Sequence, residues 1–157
     1  MLSKTKKSSE NCTCANDSDR RQFADLAVDA DSPHHLSARP WLEQVLSETT
    51  PIGLAWIVVL AFLRITTHPR IMNNPLSPEK AIDYVESWLR QPQVILLAPG
   101  AKHWFILKNL LQAVGTAGNL TSDAHLAALA LEQGCTIYSA DNDFKRFPGI
   151  KHINPLT

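Results

Sequence analysis

Residues 121–144, TSDAHLAALALEQGCTIYSADNDF, contain the pattern that decides the fold. Residues 121–133 are rich in Ala and Leu and stop at Gly134, which is typical of a helix and its C-terminal glycine. The short apolar run from Cys135 to Ser139 follows directly and predicts a buried strand. A helix that leads straight into a buried strand is the repeating unit of an α/β fold with a mostly parallel sheet.

The same alternation extends toward the N-terminus and to the end of the chain. Ser-Pro pairs at Ser32 and Ser77 are helix starts, with Ser as the N-cap and Pro at the first helical position. The apolar run from Ile52 to Leu63 is too short for a bilayer span, which needs about 18 residues, and predicts a buried helix. The predicted helices cover residues 32–48, 57–66, a segment beginning at 78, 101–114 and 121–133, and the predicted strands cover 94–98, 135–139 and 151–154.

Composition and charge exclude several classes of protein. The chain has 157 residues, 45% of them hydrophobic and 19% charged, which is typical of a globular domain. Fifteen basic and fifteen acidic residues cancel, so binding to nucleic acid or membranes through bulk charge is excluded. Three cysteines form neither a disulfide framework nor a zinc-binding pattern. No apolar stretch follows the basic start, so we expect a cytoplasmic protein without a secretory signal or membrane contact.

The first 22 residues differ from the rest of the chain. They are almost entirely polar, and such a segment cannot offset its ordering entropy by burial. We therefore expect a polar, disordered segment over residues 1–22 and a folded domain over residues 23–157.

Acidic residues lie where an α/β fold places its functional groups. Asp123 opens the helix of residues 121–133, and Asp141 and Asp143 follow the strand CTIYS. In a parallel sheet, these positions meet at the carboxyl ends of the strands. Three converging carboxylates favour a Mg²⁺ site, and Mg²⁺ suits phosphodiester hydrolysis. The structural alternatives are a helix-dipole partner at Asp123 and an ordinary turn at Asp141 and Asp143.

Four stretches of the chain are distinctive: VDADSPHH (28–35), LAFLRITTHPRI (60–71), LSPEKAIDYVESWL (76–89) and GNLTSDAHLAALALEQGCTIYSADNDFKRFPGIKHINPL (118–156). Together they resemble the PIN-domain ribonuclease toxins, the VapC type of toxin–antitoxin systems. The resemblance implies a three-layer α/β/α fold with a mostly parallel central sheet. It further implies an endoribonuclease that acts on RNA with Mg²⁺, or Mn²⁺ in its place, and is inhibited by a cognate VapB-like antitoxin. A homodimer is also expected.

The resemblance also assigns roles to the acidic residues. By it Asp123 and Asp141 are metal ligands, and Asp143 completes the catalytic cluster.

The chain departs from the family pattern at its first strand. That strand carries Asp-x-Asn in the family, but counting back from Val28 places Arg20 and Gln22 at these two positions. Asp19 is one residue out of register, which would turn the strand's side chains to the wrong face, and Asp25 is further away. The first strand is therefore degenerate or missing, and activity is expected to be impaired. A frameshift or displaced gene start would explain this, and translating the upstream nucleotides in all three frames tests it.

The chain departs from the family pattern at a second position, on the second helix. Many PIN domains have a Glu on the second helix, where this chain has Ala61.

One alternative to a ribonuclease function is a catalytically inactive protein that binds and titrates the cognate antitoxin. A phosphatase of the haloacid-dehalogenase type is excluded, because Asp141 and Asp143 lie too close to the end of the chain for the rest of that fold.

Overall fold

A five-stranded parallel sheet forms the centre of the computed structural model, which describes residues 12–15, 51–139 and 141–154. Its spatial order is β3-β2-β1-β4-β5, and every neighbouring pair is parallel. The strands are β1 (Cys12–Ala15), β2 (Ile52–Ala55), β3 (Val94–Leu97), β4 (Cys135–Tyr138) and β5 (His152–Ile153). The strands of a parallel sheet run in the same direction, so the carboxyl ends of these strands all lie at one edge of the sheet.

Strand β1 lies at the middle of the sheet, inside the segment 1–22 for which the sequence predicts disorder. Its residues pair with β4 from Cys12↔Cys135 to Ala15↔Tyr138, and on the other side Thr13 pairs with Ile52. Cys and Thr are compatible with a strand, but the short run CTCA is surrounded by polar residues and carries no apolar periodicity. The rest of the segment 1–22, and the predicted helix of residues 32–48, lie outside the described residues.

Within residues 51–139, α-helices pack on the sheet at α1 (Trp56–Thr66), α2 (Pro78–Leu89), α3 (His103–Val114) and α4 (Thr121–Gln133). The predicted helices from residues 57, 78, 101 and 121 are confirmed within two residues at their starts. Ser77 caps α2 through a hydrogen bond donated by the Lys80 backbone N–H, and Gly134 closes α4 with φ of 69°. The 3₁₀ helix Gly118–Leu120 precedes α4, and the 3₁₀ helix Asn142–Arg146 follows β4. In the described part of the chain, no helix is long and apolar enough to cross a bilayer.

The sequence predicts a buried helix over the apolar run that begins at Ile52. The prediction is wrong for the first four residues of that run, because Ile52–Ala55 is strand β2. All four residues are buried, and β2 pairs with β1 on one side and β3 on the other. A strand covered on both faces is apolar throughout and lacks the alternation that would distinguish it from a buried helix. The strand passes directly into α1 at Trp56, so the two elements read as one uninterrupted apolar segment.

The hydrophobic core lies between the helices and the sheet. Phe62 of α1 is almost completely buried and packs edge-on against Trp88, with the ring centroids 4.6 Å apart. Helix α4 contributes Leu126 and Leu129, and its small Ala side chains allow it to lie close to β4. This packing fixes the start of α4 relative to the carboxyl end of β4.

Candidate active site

Asp123 lies in the first turn of α4 and is one of the few buried charged residues of the described chain, with 8% of its surface exposed. The helix of residues 121–133 has the predicted bounds, so the predicted position of Asp123 at its start is confirmed. The partial positive charge at a helix N-terminus stabilises a carboxylate at this position. A buried carboxylate also needs polar partners or a cation, so its burial is compatible with both a structural role and ligand binding.

Asp141 begins the 3₁₀ helix that follows β4. Its Oδ1 accepts a hydrogen bond from the Asp143 backbone N–H at 2.8 Å, and its own N–H donates to Ser139 Oγ at 2.9 Å. The turn is held further by His152, whose Nε2 lies 2.7 Å from the Ser139 carbonyl oxygen. A carbonyl only accepts hydrogen bonds, so Nε2 is the donor. Asp141 is therefore fixed in place by its neighbours, with one carboxylate oxygen acting as a helix cap.

Asp143 is partly exposed. About half of its side chain is exposed (48%), and its Oδ1 lies 3.5 Å from Nη1 of Arg146, one turn further along the 3₁₀ helix. Ion pairs of this exposed kind contribute little to stability. The geometry gives Asp143 a partner on its own helix in addition to the role expected from the sequence.

The topology brings the start of α4 and the end of β4 to the same edge of the sheet. After the turn at Gly134, β4 runs back antiparallel to α4. Helix α4 contacts β1, β4 and the 3₁₀ helix Asn142–Arg146. The helix start, with Asp123, therefore lies level with the strand end that precedes Asp141. Ala61 is buried on α1, so this position supplies no carboxylate.

The acidic residues do not form a complete metal site by themselves. Among residues 12–15, 51–139 and 141–154, no three His, Cys, Asp or Glu residues form a group that could hold a metal ion. Arg20, Asp19 and Asp25, which the sequence places near the missing carboxylate, lie outside the described residues. The donors on α4 and after β4 thus do not fit a metal ion without a further ligand.

A partly buried polar network between α3 and α4 was not predicted from the sequence. His103 Nε2 lies 2.9 Å from His125 Nδ1, and His103 Nδ1 lies 3.6 Å from Glu132 Oε2. The Glu132 carboxylate also accepts the backbone N–H of Gly100 at 2.9 Å and of Lys102 at 3.0 Å. His125 and Glu132 are two helical turns apart, which places them on one face of α4. That spacing is the only signal in the sequence, and it does not identify His103 as the partner.

The free energy of unfolding should fall as the pH drops below about 6.5. Burial, and second the nearby His103, lower the pKa of His125 from its ordinary value of 6.5. The unfolded chain then binds this proton at a higher pH than the folded chain, so stability is fully present above pH 6.5 and is lost below it. Urea unfolding at pH 7.5 and 5.5 measures the loss, which His125→Gln should reduce. An equal loss in both proteins would contradict this assignment.

Comparison with known proteins agrees with this fold. The family model of the PIN domain matches residues 23–150, which is most of the chain. The chain therefore belongs to the PIN-domain family.

Within that family, the similar curated proteins are VapC ribonucleases. Ribonuclease VapC37 of Mycobacterium tuberculosis is 43% identical over 129 residues, which cover 82% of this chain and 90% of that protein. Ribonuclease VapC33 of the same species is 42% identical over 130 residues, covering 83% and 91%. The chain is thus a member of the VapC group of PIN-domain proteins, as the sequence resemblance indicates.

Solved structures confirm the predicted three-layer fold with its mostly parallel sheet. A chain of VapBC2 from Rickettsia felis, bound to a DNA fragment from its promoter, gives a TM-score of 0.62 at 19% identity, covering 91% of this chain and 98% of that one. VapBC-1 from nontypeable Haemophilus influenzae gives 0.62 at 14% identity, covering 93% and 99%. At these identities the likeness establishes the fold alone.

Proposed function

We propose that this protein is the ribonuclease toxin of a VapBC-like toxin–antitoxin system and hydrolyses phosphodiester bonds of RNA. The observation that carries the proposal is the position of Asp123 and Asp141, on two packed elements at one edge of the sheet. The relatives at 42–43% identity are named ribonucleases, which supports the same chemistry. The proposed substrate, cellular RNA, places the protein in the cytoplasm.

The proposed activity depends on a divalent cation, Mg²⁺ or Mn²⁺. Such an ion would lower the pKa of a bound water and stabilise charge on the phosphate. Since the described carboxylates do not fit a metal ion alone, the proposal requires a carboxylate from the N-terminal segment. Strand β1 pairs with β4, and the sequence after its last residue, Ala15, continues Asn16-Asp17-Ser18-Asp19. Asp17, Asp19 and Asp25 are therefore the candidates for this ligand.

The proposed partner is a VapB-like antitoxin. The structural relatives from Rickettsia felis and Haemophilus influenzae are titled as VapBC proteins, which supports a complex of this kind. A homodimer of the toxin belongs to the same proposal.

A second candidate function is favoured by the incomplete acidic cluster. If no N-terminal carboxylate replaces the one expected at Arg20, the protein binds the antitoxin without cleaving RNA. Free antitoxin would then be titrated away from an active toxin. The two functions differ in whether the chain binds a divalent cation.

Metal binding distinguishes these functions. Calorimetric titration of the purified chain with Mn²⁺ should show binding. We expect one of three variants, Asp17→Asn, Asp19→Asn or Asp25→Asn, to raise the dissociation constant for Mn²⁺ at least tenfold. The loss of a group from a metal site commonly has an effect of about this size. Asp83→Asn serves as the control, because Asp83 is exposed on α2, away from the site. Absence of Mn²⁺ binding in the folded wild type, with antitoxin binding intact, would favour the second function.

A further inference from the structure

The first turn of α3 exposes two neighbouring aromatic side chains. Trp104 is 68% exposed and Phe105 is 61% exposed, which makes them the most exposed aromatic residues of the described chain. Aromatic side chains of this size normally contribute to cores or interfaces. Their exposure therefore marks a surface that a ligand can cover.

Two lysines flank the aromatic pair. Lys102 immediately precedes α3 and is exposed, and Nζ of Lys108 lies 5.7 Å from the centre of the Phe105 ring. The sequence of α3, HWFILKNLLQAV, contains no Asp or Glu. We call Lys102, Trp104, Phe105 and Lys108 the aromatic–lysine patch. Its charge is complementary to a polyanion.

Glu132 of α4 fixes the position of the loop that leads into the patch. The two hydrogen bonds that Glu132 accepts from Gly100 and Lys102 tie the loop before α3 to α4. A Cβ atom at Gly100 would lie only 2.5 Å from Glu132 Oε1, so the glycine makes this close approach possible. The start of α3 is thereby fixed before any ligand binds, which reduces the entropy cost of binding.

The patch lies beside the part of α4 that carries the candidate active site. In the same turn of α3 His103 contacts His125, two residues from Asp123, and Glu132 lies about 13.5 Å along α4 from Asp123 at 1.5 Å per residue. A few nucleotides of an unpaired RNA strand can cover such a distance. Binding energy gained at a remote position of this kind can position the reacting bond.

We propose that the aromatic–lysine patch binds single-stranded RNA, with bases stacked on Trp104 and Phe105 and phosphates paired with Lys102 and Lys108. Stacking on aromatic side chains next to basic residues is the general mode by which proteins bind unpaired strands. The assignment rests on the proposed function, since it concerns the same substrate. The lysines and the lack of acidic residues on α3 favour RNA over a second copy of the chain or a protein partner.

The test measures RNA binding without cleavage. Fluorescence anisotropy of a labelled oligouridylate, with the full chain in EDTA, gives the dissociation constant whether or not the protein is an active nuclease. Trp104→Ala and Phe105→Ala should each raise it about fivefold to a hundredfold. Trp104→Tyr should retain binding, and Lys108→Gln should reduce the salt dependence of log K by about 0.7. Ile82→Ala is the control, because Ile82 is also an exposed hydrophobic residue (48%) but lies on α2.

Three results would overturn the assignment. One is undetectable RNA binding by the wild-type chain, and another is an equal loss in Trp104→Ala and Ile82→Ala, with circular dichroism showing both variants folded. The third is a change from dimer to monomer by sedimentation in Trp104→Ala with RNA affinity unchanged, which would make the patch an interface between copies. RNA binding through the patch without any cleavage in Mg²⁺ would instead reject the ribonuclease function alone.

Discussion

Replacing Asp123 with Asn is expected to lower the rate of RNA cleavage about a hundredfold to a thousandfold, as for the loss of other electrostatic groups in active sites. Asn has the same shape as Asp but no negative charge, so the change removes the carboxylate and little else. Asp123 is buried in the first turn of α4, where losing the interaction of its charge with the helix dipole costs up to about 2 kcal/mol of stability. The fold should therefore survive the loss of activity.

The Asp123 prediction is checked by initial rates of cleavage of a labelled RNA in Mg²⁺. Asp83→Asn provides the control, since it makes the same chemical change at an exposed position on α2. Thermal unfolding of both variants shows whether the fold is kept. A folded Asp123→Asn protein that cleaves at the wild-type rate would mean that Asp123 is only a helix-dipole partner.

Truncation of Phe62 is expected to cause the largest loss of stability, about 3–5 kcal/mol. The side chain is 1% exposed, and its ring contacts both Trp88 and Tyr84, with centroids 4.6 and 6.4 Å away. Phe62→Ala leaves a cavity between α1 and α2 that these rings can fill only in part. Because domains are stable by about 5–15 kcal/mol, the variant should approach the limit of folding.

Urea unfolding monitored by circular dichroism measures the effect of Phe62→Ala. Leu60→Ala is the matched control, because Leu60 is on the same helix but 62% exposed, and its loss should be within about 0.5 kcal/mol of zero. Equal losses in the two variants would show that α1 does not pack through Phe62.

Helices α2 and α4 could be predicted because their ends carry local signals. Ser77 and Pro78 determine where α2 begins, and Gly134 adopts the left-handed conformation that ends α4. These signals act within one turn of the chain, so they can be read without knowledge of the tertiary structure. The position of Asp123 followed directly from them.

Strands β1 and β2 depend on pairing, which no short window of sequence contains. Strand β2 is a continuous apolar segment that joins α1, and only its pairing with β3 and β1 separates it from a helix. The run CTCA of β1 acquires its position at the centre of the sheet from β2 and β4. Both strands are formed by long-range contacts rather than by local propensity.

The candidate site likewise contains residues that local sequence signals identify and residues that depend on long-range packing. Asp123, Asp141 and Asp143 could be named because each adjoins a predicted helix or strand end. The network of His103, His125 and Glu132 could not, since it joins two helices through contacts between residues 22 and 30 positions apart in the chain. Such a network requires the packing angle of α3 on α4, which sequence periodicity does not determine.

The most direct test of the central claim is RNA cleavage by the purified chain in Mg²⁺ or Mn²⁺, compared with the same reaction in EDTA. We expect endonucleolytic cleavage that requires the metal and is restored when excess Mg²⁺ is added back. Intact RNA in both reactions, from a chain shown to be folded by circular dichroism, would contradict the ribonuclease function. The antitoxin-binding function would then be favoured for this PIN-domain chain.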